Sequence, residues 1–297
     1  MTEKEYLEAV LKSQTIPGGS DELKALQDQR ETVEGVLRSD FGSSPTIRYG
    51  GSKAKHTMIR ESYDLDILCY FPREDDDCGT TLREIYDSVC ETLSGSYSVE
   101  RKASALRLMK LQDTEDYTHI DVVPGRFTDE SKEDVFLHQE HSEGERLKTN
   151  PDVQITHVRS SGVRDAIKLM KLWNTRKGLR VKTFVLELLV IDLLKKKTSV
   201  CLPDQLRHVL TQIRDSYGDL TVEDPANPSG NDLSDLLDES VQARLRATAS
   251  TSLLRLEESG WEAIFGELGD DRGVLLEGLK RIAVAGSSQP KPWYNGR

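Results

Sequence analysis

The apolar stretch His119-Ile120-Asp121-Val122-Val123 carries an aspartate at its centre, and this residue constrains the fold more than any other feature of the chain. A short apolar run of this kind reads as a buried strand. A carboxylate buried there without a partner is costly, so Asp121 demands one. A shared metal is a natural partner. The alternative is that Asp121 ends its strand and caps the turn at Pro124-Gly125.

Two other segments raise the same question. Asp64-Leu65-Asp66-Ile67-Leu68 opens the clearest strand, Leu65–Phe71. Alternate strand residues share a face, so Asp64 and Asp66 point one way while Leu65 and Ile67 point to a core. Two carboxylates roughly 7 Å apart by strand rise suit a pair of divalent cations about 4 Å apart. Taken alone, they fit a solvated strand edge with two surface acids better. Gly50-Gly51-Ser52 follows the short strand candidate Thr46–Tyr49. A glycine pair lets backbone N–H groups approach an anion closely, and the serine adds a hydroxyl; an ordinary turn has the same composition.

The 297 residues allow one large domain or two lobes sharing a cleft. Forty Lys and Arg against 51 Asp and Glu give a net charge of −11, which disfavours constitutive binding of long nucleic acid. Small phosphate esters arriving with divalent cations are compatible with such a surface. The four cysteines, Cys69, Cys78, Cys90 and Cys201, form no CxxC pair. With no signal peptide read at the N-terminus, they are expected to be reduced, buried thiols of a cytoplasmic protein. The longest apolar run, Phe184 to Leu194, is broken by Glu187 and Asp192 and is too short and polar to span a bilayer.

Residues 20–38 read as a helix capped by Ser20, with Leu23, Leu26, Val33 and Leu37 on one face. Thr81–Leu93 reads as a helix, Ser98–Leu111 as a hairpin or strand pair, and His119–Val123 as a strand stopped by Pro124-Gly125. Thr128–Pro151 is polar and reads as the crossing between lobes. Beyond it the pattern is helical: Val163–Arg176, Thr183–Lys196, Pro203–Tyr217, Leu233–Arg246 or further, and Leu275–Ala285. The expected architecture is α+β with two lobes: a mixed-sheet lobe with N-terminal helices over 1–150, a helical lobe over 151–286 and a loose tail over 287–297.

Taken together, the three acidic and glycine-rich segments resemble the signature of the DNA polymerase β-like nucleotidyltransferase superfamily: strand, Gly-Ser, helix, an Asp-x-Asp strand, then a third Asp on a neighbouring strand. Eleven residues, Lys53 to Tyr63, separate Ser52 from Asp64, and Asp121 follows 57 positions after Asp64. Arg164–Trp173, with Lys171 two residues before Trp173, is similar to a helix of the oligoadenylate synthetase and cyclic GMP-AMP synthase group. Thr183-Phe184-Val185-Leu186-Glu187-Leu188-Leu189 and the turn Asp224–Asn231 resemble further blocks of that group. The absence of a CxxC zinc element, with the acidic net charge, makes the chain look like the bacterial branch, the cyclic-oligonucleotide synthases of anti-phage signalling.

The resemblance implies a nucleotidyltransferase that condenses NTPs, ATP among them, into a cyclic di- or trinucleotide with release of pyrophosphate. It implies Asp64, Asp66 and Asp121 as catalytic residues and as ligands of two Mg²⁺ ions, with Mn²⁺ able to substitute. It implies Gly51, Ser52, Lys55, Lys168, Lys171, Thr183 and Phe184 as nucleotide contacts, and an accessory defence protein acting on the tail. The rival readings are a template-independent RNA, tRNA or linear oligoadenylate nucleotidyltransferase and a nucleotide-binding regulator without turnover. Lys171 also fits a solvated helix lysine, Glu187 a structural partner of a basic side chain, and Trp173 and Trp261 simple core residues. One departure stands out: the superfamily's Gly-Ser-x-x-Lys-Gly-Thr has His56 in place of its last glycine.

Overall fold

A computed structural model of the chain describes residues 1–62, 64–110, 119–139, 146–216, 218 and 220–268. The elements in order are α1 (Glu3–Ser13), α2 (Asp21–Phe41), β1 (Thr46–Tyr49), α3 (Gly51–Lys55), β2 (Asp64–Phe71), α4 (Leu82–Ser94), β3 (Tyr97–Arg101) and β4 (Leu106–Lys110). There follow β5 (His119–Phe127), β6 (Val135–His138), β7 (Arg146–Thr149), α5 (Pro151–Arg159), α6 (Arg164–Arg176), α7 (Thr183–Leu193), α8 (Leu202–Asp215), α9 (Glu239–Ser259) and α10 (Glu262–Phe265). The expected α+β architecture is observed, with a mixed sheet in the front half and helices behind it.

The seven-stranded sheet runs β1-β2-β5-β4-β3, with β6 and β7 continuing from β5. Among the described residues, only β2 and β5 pair in parallel. Period-two alternation divides the side chains of β2 between two cores. Leu65, Ile67, Cys69 and Phe71 join Val33 and Leu37 of α2 and Ile85 and Val89 of α4 in one core. Leu68 and Tyr70, on the opposite face with Asp64 and Asp66, join Val123, Phe127, Val135 and Leu137 in another. The acids therefore occupy one end of a face that is apolar at its other end.

Two sequence expectations change here. The strand at Asp121 does not stop at Pro124-Gly125 but continues to Phe127. One edge of β5 pairs with β4 over Ile120–Val122 and with β6 over Gly125–Phe127. Pro124, which has no N–H to give, falls in the gap between these pairings, where no ladder bond is owed on that edge. Gly125 permits the close approach of β6, since a Cβ there would lie 2.8 Å from Leu137 Cδ2 and 2.9 Å from the Phe136 carbonyl oxygen. The segment 128–151 is correspondingly not a plain crossing: it contributes β6 and β7 to the sheet. At its end Asn150 caps α5, accepting from the Val153 N–H at 3.1 Å.

The helical core is built from α6, α7, α8 and α9, with Trp173 fully buried and its indole N–H donating to Ser252 at 2.9 Å. Trp261 is also core, stacked on Phe265. α1, which the sequence assigns to the first lobe, packs Tyr6, Leu7 and Val10 into this second core. The expected helix from Leu233 is divided: a 3₁₀ turn at Ser234–Leu237 gives way to α9, because Asp238 caps the new helix through the Val241 N–H. Cys69 and Cys78 are buried as expected, whereas Cys90 is half-buried and Cys201 exposed. Among the described residues no helix is long and apolar enough to cross a membrane. The helix expected at Leu275–Ala285, the tail 287–297 and the end of the second lobe at 286 lie outside the described residues.

Candidate active site

Sheet register brings the sequence-predicted acids together on one face. Asp66 of β2 stands level with Asp121 of β5, and Asp64 level with His119. On the far side of β5, β4 places Arg107 level with Asp121, and β3 places Glu100 level with Arg107. A row across four strands thus reads Asp66, Asp121, Arg107, Glu100. Asp121 is fully buried, Asp66 and Arg107 nearly so, and Asp64 half-buried.

Arg107 supplies the partner that Asp121 requires. Its Nε donates to Oδ1 at 2.9 Å and its Nη2 to Oδ2 at 3.1 Å, a bidentate charge-assisted pair. Nη2 also lies 3.6 Å from Asp64 Oδ2. Burial opposes the guanidinium charge, but the hydrogen bonds and charge of Asp121, with Asp64 and Glu100, outweigh it and raise the pKa of Arg107. The sequence reading missed this residue. Its trace was an arginine between Leu106 and Leu108 on an alternating strand, a signal that acquires meaning only with the register.

Among the described residues, no three or more His, Cys, Asp or Glu side chains are gathered at metal-binding spacing. The donor set nonetheless suits a hard divalent cation: three carboxylates project from one face of adjacent strands. Gly51 leaves the room that one of them occupies. Its φ is +50°, and a Cβ there would overlap Asp66 Oδ2. Gly51→Ala should therefore displace the Asp66 carboxylate and cost about 1–2 kcal/mol in backbone strain alone. Urea denaturation of the variant checks the cost, and unchanged stability would count against this packing.

Gly51 and Ser52 begin α3 directly after β1, and Gly50 N donates to the Asp66 carbonyl oxygen at 2.9 Å. This ties the Gly-Ser turn to the acid strand. His56 ends α3 in the left-handed region at φ 61°, a conformation that a glycine adopts without strain. Its exposed ring reaches Arg164, 3.4 Å from Nδ1. Burial first, then the charges of Arg159, Arg164, Lys168 and Lys53, lower its pKa.

Beneath this turn lies a buried charge cluster. Lys55 Nζ donates to Glu187 Oε2 at 2.9 Å and sits over the Phe184 ring, 4.7 Å from its centroid. Thr57 Oγ1 donates to Glu187 Oε1 at 2.6 Å, and Lys171 Nζ donates to the Thr57 carbonyl oxygen at 2.7 Å. Glu187 thus pairs with a basic side chain, as its position inside an apolar helix suggests, and joins α7 to α3. Lys171 is 3% exposed, so it is not a solvated helix lysine. Lys168 is half-buried beside Asp165 at 3.7 Å, and Thr183 is exposed at the start of α7. A small cleft next to Asp64 is lined by Leu23, Leu26 and Gln27 of α2 with Tyr49, Lys53 and Met58.

Burial lowers the Lys171 pKa from its ordinary 10.5 to about 8, against the pull of Glu187, Asp66 and Asp64. Between these values the unfolded chain binds the proton that the folded chain sheds, so stability rises with pH across the window. The burial penalty is present in full below pH 8 and is gone above 10.5. At most about 3 kcal/mol is at stake. Lys171→Met should flatten the difference between denaturation at pH 7.5 and pH 10.

The Asp224–Asn231 turn is anchored by Asp224, which is fully buried. It accepts from Asn231 Nδ2 at 2.7 Å, the Ala226 N–H at 2.9 Å and Gln154 Nε2 of α5 at 3.2 Å. Asn227 Nδ2 donates to the Lys148 carbonyl oxygen of β7 at 2.8 Å. The turn therefore fastens the helical half to the sheet.

Solved structures share this architecture. CdnG, a CD-NTase from Bradyrhizobium diazoefficiens solved with GTP, superposes with a TM-score of 0.68 at 15% identity, covering 95% of this chain and 99% of its own. The chain has the fold of the bacterial CD-NTases. CdnC from E. coli MS115-1, solved with ATP, gives a TM-score of 0.66 at 17% identity over 91% of this chain and 99% of its own. The cyclic AMP-GMP synthase DncV from Vibrio cholerae, solved with a nonhydrolyzable GTP, gives 0.57 at 16% identity, covering 91% and 86%. No family model matches the sequence, and no curated protein does.

Proposed function

We propose that this chain is a metal-dependent nucleotidyltransferase that condenses NTPs into a cyclic di- or trinucleotide, releasing pyrophosphate at each step. The observation that carries the reading is the register of Asp66 with Asp121, two residues from Asp64, on the face beside the Gly51-Ser52 turn. That the neighbouring folds were solved with GTP or ATP supports NTPs as substrates.

In this reading Asp64, Asp66 and Asp121 hold two Mg²⁺ ions. When bound, these supply Lewis-acid charge to the triphosphate and lower the pKa of the acceptor hydroxyl. The chain contributes positioning. Gly51 and Ser52 offer a backbone N–H and a hydroxyl to the triphosphate. Lys168 and Thr183 contact the nucleotide from the helical side. Lys55, Lys171 and Phe184 act from below, holding the loop that follows α3 and adding positive charge opposite the acids. The product serves as a second messenger in anti-phage signalling.

The test is incubation with four radiolabelled NTPs and Mg²⁺ or Mn²⁺, followed by phosphatase treatment and mass analysis. A small phosphatase-resistant product, absent with Asp64→Asn/Asp66→Asn protein, is expected, and its mass names the bases. Linear, indefinitely extended products, or transfer of label to tRNA, would select an RNA nucleotidyltransferase. Bound NTP with no pyrophosphate release, including in the presence of infected-cell extract, would select the regulator.

A further inference from the structure

We infer that Arg107 is a positioning residue that occupies the third carboxylate in place of a cation, so that metal binding requires Asp121 to exchange one partner for another. The inference rests on the metal-site reading above.

Three observations converge on it. Asp121 is fully buried, and both its oxygens accept from a single guanidinium. A carboxylate in that position is never left without a positive partner, which is the condition for a buried acid to persist before metal arrives. The same guanidinium extends towards Asp64, 3.6 Å away, so it engages two of the three acids. With Arg107 so placed, the three carboxylates share a face without gathering at metal-binding spacing. A divalent cation and a guanidinium drawn to the same carboxylate repel one another, so each weakens the other's hold.

The sheet also provides a second acidic neighbour for the displaced side chain. Glu100 stands level with Arg107 on β3, on the side away from Asp121, where it pairs with Lys102. Arg107 therefore lies between acids on both flanks, and its guanidinium has a partner in either arrangement. Coupling of this kind is reciprocal: what Arg107 contributes to the metal-free protein, a cation must overcome.

The experiment measures Mn²⁺ affinity by calorimetry without nucleotide, together with the thermal midpoint with and without Mn²⁺. Arg107→Gln should bind Mn²⁺ about 5- to 150-fold more tightly than the unsubstituted protein, the usual range for coupled sites. Its midpoint should be lower without metal and should rise more when metal is added. Arg107→Lys keeps the charge but loses the two-point fork, so it should fall between the two, and it carries the test if Arg107→Gln does not fold. Lys102→Gln removes the same charge next to Glu100 instead of Asp121 and should change affinity by less than about twofold.

Unchanged or weaker Mn²⁺ binding in both Arg107 variants would overturn the inference. Equal tightening by Lys102→Gln would overturn it too, because net charge alone would then be responsible. If Mn²⁺ binding is present, is lost in Asp64→Asn/Asp66→Asn, and is indifferent to Arg107, the proposed function stands and only this inference fails. No Mn²⁺ binding by any of these proteins would remove both.

Discussion

Glu187→Gln is expected to lower the stability of the protein by about 3–5 kcal/mol at pH 7, the usual effect of removing one partner from a buried ion pair. Glu187 is completely inaccessible, and it accepts from Lys55 and Thr57 while Lys171 lies behind Thr57. Glutamine preserves the shape but removes the charge that faces both buried ammonium groups, leaving Lys171 only the pull of Asp66 and Asp64. Burial pushes the Glu187 carboxyl up; Lys55 and Lys171, with hydrogen bonds from Thr57 and Lys55, outweigh it and hold the pKa below the ordinary 4.5. A carboxyl held down in this way stabilises the fold above its ordinary pKa and loses that contribution as pH falls through the depressed value. Urea denaturation should therefore show a wide gap between the two proteins at pH 7 that narrows below about pH 4. A gap that stays constant with pH would mean that the second accepting oxygen, not the charge, makes Glu187 necessary. Because Glu187 joins α7 to α3, the variant should also loosen the Gly-Ser turn, visible as faster amide exchange at residues 51–57.

Asp66→Asn is expected to reduce pyrophosphate release by about a thousandfold or more, while leaving the fold intact. Asparagine fills the same space above Gly51, so the packing that a Cβ at residue 51 would destroy is retained. What is lost is one of the negative oxygens of a proposed metal site, and several kcal/mol of transition-state stabilisation with it. The check pairs turnover with calorimetric Mn²⁺ binding and a denaturation curve. Lost activity with lost Mn²⁺ binding and unchanged denaturation supports the assignment. Full activity in the variant would remove Asp66 from the site, and with it the central observation of the proposed function.

Much of this was visible in the residues themselves. Ser20 caps α2, accepting from the Leu23 N–H. Leu206, Val209, Leu210 and Ile213 are all buried along α8, as their helical spacing requires. Asp64 and Asp66 share a strand face because strand geometry has a period of two. The resemblance to nucleotidyltransferases, carried by the same acids and by Gly51-Ser52, led to the fold that the solved CD-NTases share. The segments that escaped were those whose local composition was ambiguous. Val135–His138 and Arg146–Thr149 sit in a polar stretch and become strands only by pairing with β5 and each other. Pro124 and Gly125 look like a stop, but β2 pairs with the strand straight through them and β6 takes up its other edge beyond.

By itself, then, the sequence determined which chemistry the front half can hold: three carboxylates on strands, a glycine pair that lets backbone N–H groups approach an anion, and an Asp121 that needs a partner. These follow from local geometry and from the cost of burying charge, which need no knowledge of distant residues. The tertiary structure decided who the partners are. Arg107 meets Asp121 only because β4 and β5 pair in one register, and Lys55 meets Glu187 only because α3 docks on α7, 132 residues further along the chain. A shift of one residue in that pairing would turn Arg107 to the opposite face of the sheet, away from the acids. Pairing of this kind is settled by the packing of both sheet faces together.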